Sequence, residues 1–134
     1  MKSEKLTEAV ASAADNIEEA IKALIEKDEK NTLWCVWRAA ASSEYALFLF
    51  SIDSNASPEN SQPWKLSPNP KNMEVGPVLA IAQELLKEAE GNIRTGNLQE
   101  AHKKTWMARG YLSEVQVTFE KRHKDDEKSP PSHL

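Results

Sequence analysis

Three histidines, one cysteine and one carboxylate set among large rings are the side chains with chemistry to offer. His102 and His123 stand 21 residues apart on what reads as one helix, and His133 lies near the end of the chain. Side chains that far apart on a helix cannot share one metal ion. The Glu-x-x-His spacing occurs once, at Glu120 and His123, whereas a di-iron carboxylate bundle needs such a pair on each of two helices. Gly76, Gly91, Gly96 and Gly110 are scattered, so no phosphate-cradling loop is present. Cys35, between Trp34 and Val36, has no cysteine to pair with and reads as a small buried hydrophobe. No Ser, Cys or His sits in a local arrangement with a base. The expectation is no catalytic residue, no metal, no cofactor and no enzyme.

Glu44 is more informative. At helical spacing it shares a face with Trp37, Ala40, Ala41, Leu47 and Phe48. A carboxylate in apolar surroundings must be paired or change its protonation. Two arginines qualify, Arg109 and Arg38. Either pair would fix helix register, and the same grouping also permits a ligand pocket inside a bundle. Trp34, Trp37, Trp64 and Trp106 complete the candidate set. They are either core or a partner surface.

These residues are carried by helices. Ala, Glu, Lys, Leu and Arg make up 61 of 134 residues, a share close to that of long-helix proteins. Leu6, Val10, Ala13, Ile17, Ala20 and Leu24 recur at steps of 4, 3, 4, 3, 4, one apolar stripe within a helix over about residues 5–27. A second helix, about 32–52 with Thr32 as its cap, is apolar nearly all round, which places it in the middle of a bundle. A third, about 77–94, opens at Pro77 and stops before Gly96. The fourth, about 97–122, opens with Asn97 and Glu100 in a capping-box relation and repeats Leu98, Ala101, Thr105, Ala108, Leu112, Val115 and Phe119. Gly110 inside it implies close approach of a helix or a large ring.

Residues 53–74 form a Pro/Ser/Asn-rich connector, long for a compact domain, in which Trp64 is expected to pin the loop to the helical body. Residues 1–123 read as one domain, and 124–134 as a disordered, charged and Pro-rich tail. The expected architecture is all-α: a four-helix bundle of two antiparallel helical hairpins joined by that connector. A tetratricopeptide-like stack is the alternative.

Net charge is −4, with a mildly basic last helix, so strong nucleic-acid binding is not expected. The apolar-rich stretch 33–52 contains Arg38, Ser42, Ser43, Glu44 and Ser51, which argues against a membrane span. Met1 leads into Lys2-Ser3-Glu4-Lys5, with no secretory signal, and the expected location is cytoplasmic. At an offset of 66, Lys5, Glu8, Ala14, Glu18, Ala23, Asn31 and Tyr45 match Lys71, Glu74, Ala80, Glu84, Ala89, Asn97 and Tyr111, as if one hairpin had been duplicated.

The run Gly96-Asn97-Leu98-Gln99-Glu100-Ala101, followed by Ala108-Arg109-Gly110-Tyr111-Leu112, resembles small archaeal helical-hairpin proteins of unknown function. It is also similar to HEPN-like and tetratricopeptide-like hairpins. HEPN ribonucleases carry Arg and His with four to six residues between them. Seven residues separate Arg94 from His102 here, so the resemblance implies a non-catalytic relative. The leading expectation is a non-enzymatic cytoplasmic interaction protein that forms a homodimer with itself and binds a further protein partner of unknown identity. The alternatives are a HEPN-like module associated with nucleic acid or a nucleotide-handling partner, and a small-ligand-binding bundle.

Overall fold

The computed structural model describes residues 2–53 and 64–128, and their secondary structure is four helices without a strand. They are α1 (Lys2–Ile25), α2 (Glu29–Asp53), α3 (Val75–Arg94) and α4 (Leu98–Lys128). α1 pairs with α2 and α3 with α4, and the two hairpins meet through α1 on α3 and α2 on α4. This is the expected four-helix bundle of two antiparallel hairpins.

The stripes read from the sequence form the core. Leu6, Val10, Ala13, Ile17 and Ala20 of α1 are fully buried against Leu79, Ala82, Leu86 and Ala89 of α3 and against the inner faces of α2 and α4. Each fully buried aliphatic side chain contributes roughly 1.5–3 kcal/mol of transfer free energy. Alanine makes up much of this core, which lets the helices pack closely.

Both hairpin turns use one backbone device. Lys27 takes φ 61° and Gly96 φ 81°. The Asp28 N–H donates to the Ala23 carbonyl at 2.9 Å, and the Asn97 N–H donates to the Asn92 carbonyl at 2.8 Å. These are Schellman-type closures, and Gly96 carries its left-handed φ without a Cβ penalty. The next helix then starts on a side-chain cap. The Asn31 N–H donates to Asp28 Oδ1 at 3.1 Å, and the Glu100 N–H to Asn97 Oδ1 at 3.4 Å.

Several sequence expectations are corrected. Asp28, not Thr32, caps α2; Thr32 is buried within the helix and donates its hydroxyl to the Asp28 carbonyl at 2.7 Å. α3 begins at Val75, so Pro77 lies in its first turn and not at its first position. α4 continues through Lys128, so the expected tail begins as helix; a charged helix end needs no apolar face to persist once it is propagated from a packed segment. Residues 129–134 of that tail, and 54–63 of the connector, lie outside the described residues.

The internal repeat is real in architecture but in another register. Equivalent turn residues, 27 with 96 and 28 with 97, differ by 69 and not 66. At 69 the buried positions coincide: Val10 with Leu79, Ala13 with Ala82, Ala20 with Ala89, Ala39 with Ala108 and Phe50 with Phe119. The 66-residue identities are three positions out, close to one helical turn. An Ala- and Glu-rich helix mimics itself well at that displacement.

Candidate functional site

The second helix does not sit in the middle of the bundle. Its inner side, with Thr32, Val36, Ala39, Ser43, Ala46 and Phe50, is buried. Its outer side is also apolar and stays open. Trp34 is 62% exposed, Trp37 52%, Tyr45 49%, Phe48 57% and Ile52 53%. With exposed Ala41, these residues fall at steps of 3, 4, 4, 3, 4, a single stripe on the face away from the core. From Trp34 to Ile52 the stripe is about 27 Å long, at ~1.5 Å rise per residue. At its N-terminal end Trp34 and Trp37 join Asp28, Lys30, Asn31 and Leu33 around an open concavity of about 480 Å³.

Charged groups flank the stripe. The Arg109 Nη2–H and Nε–H both donate to Glu44 Oε1, at 2.6 and 3.1 Å. Of the two arginines compatible with the sequence, Arg109 is therefore the partner, and it ties α2 to α4. The pair lies at the surface, with Glu44 57% and Arg109 43% exposed, so Glu44 lines no pocket inside the bundle. An exposed pair of this kind contributes about 0–1 kcal/mol. Arg38, on the opposite flank, makes no ion pair among the described residues.

Trp64 and Trp106 belong to a different place. Trp64 meets Trp106 edge to face, with ring centroids 5.5 Å apart, and meets His102 in the same way at 5.3 Å. His102 stacks on Phe50 at 5.0 Å. Burial among these rings pushes the His102 imidazole below its ordinary pKa range, because the charged form loses water. Leu66 fills the space over Gly110, where an added Cβ would stand 3.0 Å from the leucine Cδ2. Gly110 is thus explained by an aliphatic side chain of the connector, in place of the expected helix or ring. The buried Tyr111 hydroxyl donates to the Pro68 carbonyl. A turn follows, with Lys71 N–H donating to Asn69 Oδ1 and Met73 N–H to the Pro70 carbonyl, both at 2.9 Å. Residues 64–73 are a strap seated on α4.

The candidate residues therefore divide in two. Trp34, Trp37 and Glu44 share the outer face of α2, with Arg109 at its edge. Trp64 and Trp106 hold the strap. Sequence reasoning passed over Tyr45, Phe48 and Ile52 as members of the open stripe and His102 as part of the strap's seat. The 3–4 spacing of Trp34, Trp37, Ala41, Tyr45, Phe48 and Ile52 was the available signal. Cys35 is buried and its thiol is pushed up by burial, against a lowering by the Arg38 charge and with lesser raising by Glu19 and Asp28.

Among the described residues, no three His, Cys, Asp or Glu side chains are grouped to hold a metal ion, and no helix is long and apolar enough to cross a membrane. No family model, curated protein or solved structure matches this chain.

Proposed function

We propose that this protein is a non-enzymatic helical interaction protein, that the outer face of α2 is its binding surface, and that it self-associates there as a homodimer. The observation that carries this reading is the open stripe of Trp34, Trp37, Tyr45, Phe48 and Ile52. Four aromatic rings half in water on one helix face are costly to a lone domain, both in hydration and in aggregation. The connector, in its described part, residues 64–73, is seated on α4 instead. Its 54–63 stretch, Ser-Asn-Ala-Ser-Pro-Glu-Asn-Ser-Gln-Pro, has no large apolar side chain to offer.

Protein is favoured over nucleic acid as the partner. The basic side of α4 is partly neutralised, with Lys104 placed 3.3 Å from Glu88 and 4.0 Å from Glu100. A cytoplasmic setting belongs to the same proposal and is supported by the single, unpaired cysteine. The test is light scattering across micromolar concentrations. The expected mass is twice the 15.0 kDa chain, falling on dilution. A single species at the chain mass throughout that range contradicts self-association.

A further inference from the structure

Resting on the α2 face as the binding surface, we propose that its occupant is α2 of a second copy, packed antiparallel about a two-fold axis at Ala41. The stripe is its own complement in that arrangement. Reflected about Ala41, Trp37 falls on Tyr45, Trp34 on Phe48 and Lys30 on Ile52. Each ring is thereby brought level with a ring of the other copy. A parallel pair would instead bring each ring level with its own copy on the partner subunit. It would also align the two helix dipoles, which the antiparallel pair opposes.

The charges stay at the rim of this contact, Arg38 along one side of the stripe and Glu44 along the other. Both Arg109 donors use Glu44 Oε1, and Glu44 Oε2 accepts no hydrogen bond among the described residues. Arg38 is exposed and forms no ion pair there. The small residue is in the right place too. Ala41 at the crossing point lets two helix axes approach to about 8–10 Å. The larger rings then fill the space on either side of it.

The area is sufficient. An aromatic side chain presents roughly 150–250 Å², so the open fractions of Trp34, Trp37, Tyr45 and Phe48, with Ile52, amount to roughly 500 Å² per copy. Two copies would bury about 1,000 Å², the lower bound of specific interfaces. A two-fold contact closes on itself and covers the stripe of both copies, so the stripe recruits no third chain.

Disulfide trapping in the full chain tests this. Facing Cα atoms on helices at that separation lie within the span a disulfide accepts. The Ala41→Cys variant, mildly oxidised, should form a covalent dimer through residue 41. Val117→Cys, exposed on α4, should form none, and neither should the wild type with its buried Cys35. A mixture of Lys30→Cys and Ile52→Cys chains should cross-link between the two variants and not within either. A wild type that doubles its mass but traps no Ala41→Cys dimer, or that traps Lys30→Cys chains with one another, overturns the antiparallel arrangement and leaves self-association standing. A wild type that stays at the single-chain mass while an apolar helix of another protein occupies the stripe overturns both.

Discussion

The outer faces of α2 and α4 occupy equivalent places in the two hairpins and have opposite fates. At the 69-residue offset Trp37 corresponds to Trp106 and Ala41 to Gly110. On α4 the connector supplies a cover, with Trp64 against Trp106 and Leu66 over Gly110. The remaining positions of the α4 face are mostly polar: Lys103, Glu114 and Lys121 stand where α2 has Trp34, Tyr45 and Ile52. One helix has its tryptophan covered from within the chain, leaves only Val117 open among its large apolar residues and otherwise presents charge. The other presents rings along its whole length. An apolar outer face is therefore no accident of this fold, since its twin shows how the same chain removes one.

The comparison is broken most sharply by removing equivalent tryptophans. Trp106→Ala should destabilise the folded chain by about 2 kcal/mol, because a packed indole is lost along with Trp64's seat. Trp37→Ala, measured at dilutions where the chain is a monomer, should stay within about 0.5 kcal/mol. Urea titration followed by circular dichroism checks both. Equal losses would show that α2's outer ring is structural.

Acid should loosen the covered side first. The His102 imidazole is held below its ordinary pKa range in the folded chain, so the unfolded chain binds the proton more readily. The stability this represents is complete above the unfolded imidazole pKa and is lost as the pH falls from about 7 toward the folded value. Cleavage by a protease between residues 64 and 73 should rise over that window. In His102→Gln the rise should disappear. An unchanged pH profile in that variant would remove His102 from the account.

The two small residues at the centres of these faces allow a finer comparison. Gly110→Ala adds helix propensity of about 1 kcal/mol but forces Leu66 to move, since the new Cβ would lie 3.0 Å from its Cδ2. The strap should become more protease-sensitive, and Leu66→Ala in the same chain should cancel the added sensitivity. Ala41→Gly has no strap to disturb and should cost about 0.5–1 kcal/mol in helix stability alone. The smallest effect expected is that of Glu44→Gln, at about 0–1 kcal/mol, since the Arg109 pair lies in water.

Where one stripe faces one core, the sequence was sufficient. The stripes of α1, α3 and α4, the left-handed Gly96 and the Asn97 cap follow from spacing and backbone chemistry. α2 defeated the same reasoning because apolar groups surround it. Periodicity cannot say which of two apolar faces is inside, and only packing against α1 and α4 does so. The strap was half legible: an isolated Trp64 must go somewhere. Its seat on His102 and Trp106, and the pairing of Leu66 with Gly110, depend on contacts across some 40 residues of chain, which local patterning does not encode. Glu44 called for a partner, but only the geometry chose Arg109 over Arg38.

Sedimentation equilibrium of the wild type beside Trp37→Glu tests the proposed interface most directly. A carboxylate at the middle of a ring-lined contact must be buried unpaired or keep the two copies apart. The wild type should give twice the 15.0 kDa chain mass at micromolar concentration, and Trp37→Glu the single-chain mass with unchanged helix content. Equal masses for the two chains, whether single or double, would contradict the assignment of the α2 face as the surface through which this protein associates.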